Sequence, residues 1–333
     1  IAAFRMIFGA SGWLIVAGLG FGYFFAASEE YSNGQLNPAA YPPFALIISV
    51  GIFVSIIVTC LGTQSLVPNL PKASGLGRRG FKEIGKETLG AFQNESFKAL
   101  VASFILISVP VGMSVALALY LNTFFWQLTP AQVPLVLLAQ FLSTLIGYAL
   151  APALSRYLDK KLALIFGVLV WAIATASPYL LSFSGLFPAP GTRSMLVLLI
   201  GFALIAGMGI AQLVVAVNWM MADVADEHER DTGQRNEGIF FGAFAFMNKA
   251  ATGIGSGLGG AVLDLINWPT GAGVQSAADV PPETLFALAV AGGPVVALAF
   301  LPFYYFIRRY NLDRERLAVI QRAIGNQAKR GDQ

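Results

Sequence analysis

Charged residues are scarce in this chain: Asp, Glu, Lys and Arg make up 12% of its 333 residues. Soluble domains carry about 25% charged residues, so this shortage argues against a soluble enzyme. Hydrophobic residues make up 56% of the chain, and its mean hydropathy is +0.68. The net charge of +3 is small, and we read it as a signal of membrane orientation and not as a nucleic-acid-binding surface.

Residues that carry soluble-enzyme or metal chemistry are also rare. The single cysteine, Cys60, excludes a disulfide within the chain, and its apolar surroundings favour a packing role. His228 is the only histidine, so a multi-histidine metal site cannot be built, and a Ser-His-Asp triad would have to use this residue. No Walker loop occurs, which argues against ATP-driven pumping. We therefore predict no enzyme activity, no cofactor and no metal site.

Long apolar runs recur along the chain. Runs of about 18 or more apolar residues are the signal of transmembrane helices. The sequence therefore predicts an all-α membrane protein. We count eight spans, at residues 3–27, 44–66, 97–125, 133–154, 162–183, 194–221, 239–266 and 285–307.

The charge of the connecting loops alternates. The loops after the first, third, fifth and seventh spans hold one basic residue between them, Arg193. The loops after the second, fourth and sixth spans, and the C-terminal end, all contain Lys or Arg. Because basic loops stay in the cytoplasm, we predict a multi-pass protein of the inner (plasma) membrane with both termini of the chain cytoplasmic.

The second loop is a predicted domain boundary. Two prolines and three glycines lie between residues 68 and 80. The apolar residues of 81–97 have the spacing of an amphipathic interfacial helix. We predict the last two helices of an N-terminal bundle at 1–66, a cytoplasmic middle loop at 67–96, a six-helix C-terminal bundle at 97–307 and a basic cytoplasmic tail at 308–333. A transporter of six plus six helices, of which four precede this chain, fits the division. A self-contained eight-helix protein is the alternative.

One lysine, Lys249, lies about 16 Å into the seventh span at the rise of an α-helix. A charge at that depth is costly unless it faces protein or water, so we predict that Lys249 lines a solute cavity, with a structural ion pair as the alternative. Four other polar residues are predicted to contact the solute: Arg5, Asn122, Gln212 and Asn248. Hydrogen bonding between helices is the alternative for the amides, and snorkelling is the alternative for Arg5.

A dense group of charges separates the sixth and seventh spans, in a stretch predicted to be a loop from Asp223 to Glu237. Opposite charges at two adjacent helix ends can pair with bases of the opposing bundle and close the inner side of a transporter. Each exposed pair contributes about 0–1 kcal/mol, so a gate needs several pairs, and a solvated turn is the alternative. The predicted gate residues are Asp223, Asp226, Arg235, Glu237 and Arg156, with Lys160 as a further partner.

The sequence around these charges has a recognisable pattern. Residues 221–238 read M-A-D-V-A-D-E-H-E-R-D-T-G-Q-R-N-E-G, and F-M-N-K follows at 246–249. This pattern resembles the glycoside–pentoside–hexuronide:cation symporters, the melibiose-permease-like members of the major facilitator superfamily. The stretches A-A-F-R-M-I-F-G at 2–9 and L-Y-L-N-T-F-F-W at 119–126 are similar to the start of helix V and the end of helix VII in that family. The resemblance covers helices V to XII of twelve.

The resemblance implies a symporter that couples uptake of a sugar, glycoside or uronide to Na⁺ or H⁺ by alternating access. It places Arg5 and Lys249 near the substrate and the gate residues between Asp223 and Glu237 in a cytoplasmic charge network. The family's cation-binding aspartates lie on helix II, so we expect the ion site in helices that precede Ile1. We expect a monomer whose partners are a small solute, a monovalent cation and the lipid bilayer. The alternatives are a lysolipid-type carrier of the same fold and a non-transporting membrane subunit or receptor.

Overall fold

The computed structural model describes residues 12, 15–28, 31, 33–69, 85, 90, 92–232, 237–271 and 274–331, and the side chains of these residues except 69, 155, 156 and 325–331. The described residues form helices and no strand, which confirms the predicted all-α class. The helices are α1 (Ile15–Phe24), α2 (Tyr41–Thr63), α3 (Glu95–Tyr120), α4 (Val133–Tyr157), α5 (Lys160–Phe183), α6 (Arg193–Thr232), α7 (Glu237–Leu265), α8 (Pro282–Val290), α9 (Leu301–Ile307) and α10 (Arg314–Gly331).

Six helical segments of the described residues are long and apolar enough to cross a membrane: Pro38–Pro68, Glu95–Phe125, Val133–Leu154, Lys160–Phe183, Arg193–Thr232 and Pro282–Ile307. They coincide with six of the eight predicted spans. Helix α1 is the described part of the first predicted span. Helix α7 is the seventh, with 29 residues, but Asn248, Lys249 and its glycines make it less apolar than the six.

Helix α6 is longer than predicted, and the first part of the predicted charged loop is helical. The helix has 40 residues, so Asp223 and the charges up to Thr232 continue it. Between Trp219 and Thr232 the sequence has neither glycine nor proline, and Gly233 is the first poor helix former. Acidic side chains in this stretch pair with basic residues of α5 and α10, so their charge does not require a solvated loop.

The C-terminal bundle is built from closely packed pairs of helices. Helix α6 packs against both α4 and α5, and α3 packs against α7 and α9. Asn94 caps α3, because its side-chain oxygen accepts a hydrogen bond from the backbone N–H of Phe97 at 2.7 Å. Two glycines of α7 allow close packing against α3: a Cβ atom on Gly255 would overlap the carbonyl of Val109, and one on Gly259 would lie 2.7 Å from Cβ of Ala116.

Two segments differ in how much of their surface the chain covers. Helix α2 has no buried residue, as expected of a helix that is apolar all round and is covered by lipid or by another protein surface. The predicted basic tail contains α10, which packs against α6. Ile320 of α10 is fully buried, so this helix is part of the folded bundle.

Candidate functional site

A cavity of about 480 Å³ opens between α3, α4, α5 and α6. Its lining comes from the C-terminal halves of α3 and α5 and the N-terminal halves of α4 and α6, together with Gly292. In the predicted topology these are the outer halves of the helices. Its volume falls within the ~300–1,000 Å³ of typical small-molecule sites.

The cavity lining includes polar side chains that the described part of the chain leaves unused. Thr144 is an exception among the polar lining residues, because its hydroxyl already donates a hydrogen bond to the backbone oxygen of Gln140 at 2.8 Å. The hydroxyl of Ser114 is buried and has no hydrogen-bond partner among the described residues. The side-chain amides of Asn122 and Gln140 also bond to no described residue. Because unpaired polar groups inside a membrane protein are costly, these three groups are suited to bind water or a ligand.

Aromatic rings form the back wall of the cavity. The indole N–H of Trp126 donates to the hydroxyl of Tyr179 at 3.3 Å, and the two ring centroids are 5.0 Å apart. Trp171 is held by Phe300, with ring centroids 4.7 Å apart. All four of these rings are buried, and those of Trp126, Tyr179 and Trp171 line the cavity with apolar surface beside the polar groups.

Two π-helical turns meet at one end of the cavity. Asn122 lies in the turn Leu121–Phe125, which extends α3, and Gly292 lies in the turn Ala291–Val295, which follows α8. A Cβ atom on Gly292 would overlap the side chain of Leu121, so the two turns are in close contact. Such turns are frequent at functional sites, because they re-aim side chains out of the regular helical spacing.

The three predicted amides have different surroundings. Asn122 lines the cavity. Gln212 is buried outside the lining, and its Nε2 lies 3.4 Å from the carbonyl of Gly147, which joins α6 to α4. Asn248 accepts a hydrogen bond at 2.8 Å from the hydroxyl of Ser108, which joins α7 to α3. Within the described residues, Asn122 thus faces a cavity, whereas the contacts of Gln212 and Asn248 connect helices.

The side chain of Lys249, on α7, is exposed. It is not part of the cavity lining, and its ammonium group has no partner among the described residues. Gly253 and Gly257 lie on the same face, and the described chain places nothing against them. Its role at a solute site therefore stays a prediction. Arg5, the other predicted basic residue, lies outside the described residues.

The inner end of α6, which is cytoplasmic in the predicted topology, carries two buried acidic side chains. The ammonium of Lys160 lies 2.7 Å from each carboxylate oxygen of Asp223, whose side chain is 5% exposed. One oxygen of Glu227 accepts from Arg316 at 2.9 Å, and the other accepts from Asn94 at 3.0 Å. These contacts join the inner ends of α3, α5, α6 and α10, all in the C-terminal bundle.

The other predicted gate residues have fewer described contacts. Asp226 accepts a hydrogen bond at 3.3 Å from Gln321 of α10. Glu237 begins α7. Arg235 and the side chain of Arg156 lie outside the described residues. The described partners of Asp223 and Asp226 are thus in the same bundle, and pairing with the opposing bundle stays a prediction.

Tyr310 completes this inner charge cluster. Its hydroxyl donates to the carbonyl of Met220 at 3.2 Å, and its ring is buried. Burial raises the pKa of the Tyr310 phenol far above its usual range, and the carboxylates of Asp223 and Glu227 raise the pKa further. The phenol therefore stays protonated and keeps donating.

On the side predicted to be outer, one hydrogen bond between described side chains joins the N-terminal segment to the C-terminal bundle. The amide of Asn33 donates to the hydroxyl of Thr123 at 3.1 Å, and both residues are buried. Next to it, an apolar groove of about 630 Å³ separates α1 from the start of α4.

Sequence reasoning missed several residues of these two sites. Ser114 gave no signal, because serine is common in membrane helices. Trp171 and Tyr179 look like ordinary apolar packing residues. The spacing of Glu227, four residues after Asp223, could have shown that both share one face of a continuing helix.

The long apolar helices, packed into a bundle, define a multi-pass membrane protein. The chain belongs to the MFS/sugar transport protein family, which matches residues 1–314. This match confirms the family that the sequence pattern predicted, together with its helical bundle fold.

Two curated relatives are similar to the chain. An uncharacterized symporter of Synechocystis is 26% identical over 212 residues, which are 63% of this chain and 37% of that protein. A putative sulfoquinovose importer of Salmonella typhimurium is 26% identical over 190 residues, which are 57% of this chain and 37% of that protein. The chain thus spans little more than a third of the length of these relatives.

Proposed function

We propose that the complete protein is a secondary active transporter, which couples uptake of a sugar-type solute to Na⁺ or H⁺ by alternating access. The observation that carries the proposal is the cavity between α3, α4, α5 and α6, with the free polar groups of Ser114, Asn122 and Gln140. In a transporter of this architecture, such a cavity is one wall of the solute pathway. The family and the names of the relatives support the same function.

The outer hydrogen bond between Asn33 and Thr123 supports alternation of access. Among the described residues, it is a single side-chain hydrogen bond between the two bundles, at 3.1 Å. One neutral hydrogen bond contributes about 0.5–1.5 kcal/mol, which is small enough to break in each cycle. We propose that it forms when the outer side closes and breaks when the cavity opens outward.

The inner charge cluster supports movement of the C-terminal bundle as one body. Asp223 and Glu227 bind four helices of this bundle together at their inner ends. Alternating access needs bundles that rock against each other without deforming. We propose that Asp226, Glu237, Arg235 and Arg156 add contacts to the opposing bundle when the inner side closes.

We place the coupling ion outside the described part of the chain. Those residues contain no group of three or more His, Cys, Asp or Glu side chains that could hold a metal ion. Na⁺ needs several oxygen ligands, and a coupled proton needs a carboxylate of suitable pKa. We propose that helices N-terminal to this chain supply them, and that both termini of the chain lie in the cytoplasm.

The apolar groove between α1 and α4 favours a second candidate, a lysolipid carrier. Its lining runs from Ala17 to Leu138 and is apolar apart from Thr129. A groove of about 630 Å³ between two membrane helices can hold an acyl chain. The sugar-type solute remains our first proposal, because this groove lacks groups that would recognise a head group.

Uptake into proteoliposomes that contain the complete protein tests both candidates. Labelled glycosides and a labelled lysophospholipid are supplied with an inward Na⁺ gradient, an inward H⁺ gradient or neither. We expect a glycoside to accumulate under one gradient only, and to exchange with unlabelled glycoside without a gradient. Accumulation of the lysophospholipid alone would favour the second candidate, and no uptake of either would contradict a transport function.

A further inference from the structure

The described residues that line the cavity between α3, α4, α5 and α6 carry no charged group. Within the described part of the chain, none of its lining residues is Asp, Glu, Lys, Arg or His. Along α6, Ile210 at the cavity and Asp223 of the inner cluster are separated by 13 positions, or about 20 Å at helical rise. Among the described residues, a carboxylate or sulfonate in this cavity would therefore find no counter-charge, and burying such an anion without one is strongly unfavourable.

The hydrogen-bond donors and acceptors of the free polar groups match those of alcohols instead. The hydroxyl of Ser114 donates one hydrogen bond and accepts others, and the amides of Asn122 and Gln140 each offer two donors and an acceptor. A sugar hydroxyl likewise donates and accepts, so it can pair with any of the three. The backbone oxygen of Gln140 is already used by the hydroxyls of Ser143 and Thr144, which leaves its side chain as the available group.

The back wall suits the carbon face of a sugar ring. Trp126 and Tyr179 present buried ring faces that are held by their own hydrogen bond, and Trp171 is fixed against Phe300. Sites for small molecules combine such apolar surfaces with a few polar groups that fix orientation. A flat ring with hydroxyl groups at its edge fits this combination better than a flexible apolar chain.

We infer that this cavity binds the uncharged, polyhydroxylated ring of the solute, so that the protein selects neutral glycosides over the corresponding uronates. The inference rests on the proposed function and names the class of substrate for the same site. Lys249 lies outside the lining and does not supply the missing positive charge there.

Equilibrium binding to the purified complete protein tests this inference directly. Trp126 and Trp171 line the cavity, so their fluorescence reports occupancy. The probes are the methyl glycosides of glucose, galactose and mannose, each compared with its uronate. We expect at least one neutral glycoside to bind tenfold or more tightly than its uronate. Tighter binding of the uronates, or no binding of any neutral glycoside, would overturn the inference.

Two substitutions locate the selectivity in the cavity. Gln140→Lys supplies a positive charge and should reverse the preference, with neutral glycosides at least tenfold weaker and uronates at least tenfold tighter. Ser114→Ala removes one hydroxyl and should weaken neutral glycosides about 3- to 10-fold, as expected for one hydrogen bond. An unchanged ratio in Gln140→Lys, or unchanged binding in Ser114→Ala, would contradict the site.

Ser103→Ala is the matched control on the same helix. Its hydroxyl donates to the carbonyl of Ala99 at 2.6 Å and does not line the cavity, so binding should stay within twofold. The inference and the proposed function fail in different ways. Binding of a neutral glycoside without uptake would refute transport and leave the inference standing. Uptake restricted to uronates would refute the inference and leave transport standing.

Discussion

Replacement of Lys160 by methionine is expected to lower the free energy of unfolding by about 3 kcal/mol, the lower end of the range for breaking a buried ion pair. Lys160 bonds both carboxylate oxygens of Asp223 at 2.7 Å. Methionine keeps the length of the side chain and removes its charge, so the Asp223 carboxylate is left buried without its cation. The lower end applies because Lys160 is itself 27% exposed. Denaturant unfolding of the purified protein in detergent measures the loss.

Lys98→Met is the matched control for this substitution. Lys98 pairs with Glu95 at 2.6 Å, but their side chains are 45% and 85% exposed, so the loss should be at most about 1 kcal/mol. The double replacement Lys160→Met with Asp223→Leu should recover most of the stability, because no charge is then left buried. Equal losses in the Lys160 and Lys98 variants would show that burial of Asp223 does not matter.

Replacement of Lys249 by alanine is expected to reduce uptake about 10- to 100-fold, the equivalent of one hydrogen bond to a charged group of about 1.5–3 kcal/mol. The described fold makes no use of the ammonium group, so stability should change little. A charge near the middle of a membrane span is costly and is typically found at functional positions. Initial rates of uptake into vesicles with matched amounts of protein measure the effect.

Two further substitutions on α7 serve as comparisons for that result. Lys249→Arg keeps the charge and should retain more uptake than Lys249→Ala. Thr252→Ala removes a hydroxyl that donates to the carbonyl of Asn248 at 2.9 Å within α7, and its uptake should stay within twofold of the original. Uptake at the original rate in Lys249→Ala would rule out a role for this lysine in the transport cycle.

The helices were predictable because the membrane imposes a simple rule on the sequence. A span needs about 20 apolar residues. Four of the predicted spans begin and end within three residues of the bounds of the corresponding membrane-length segment. The end of α6 was not predictable by that rule. Beyond Met221 the helix is held by Lys160, Arg316 and Asn94, which are distant in sequence and whose pairing hydropathy cannot reveal.

The candidate site was only partly predictable. Asn122 was identified because an amide in an apolar run is unusual, and it does line the cavity. Gln212 and Asn248 have the same sequence signal but bond to neighbouring helices, and only the packing separates the two roles. Trp171 and Tyr179 could not be recognised, because aromatic residues of the core and of a binding site look alike in sequence.

The accessibility of one engineered cysteine tests the central claim, that the cavity is the C-terminal wall of an alternating solute pathway. Val115 lines the cavity and is 66% exposed, and the native cysteine is removed by Cys60→Ser. Ile173 of α5 is 63% exposed outside the lining and serves as the control position. In the complete protein, Val115→Cys should react with a membrane-impermeant thiol reagent from either side of the membrane, and a transported glycoside should slow the reaction. Ile173→Cys should not react. If Val115→Cys is as unreactive as Ile173→Cys, or if solute has no effect on its reaction, the cavity is not the solute pathway.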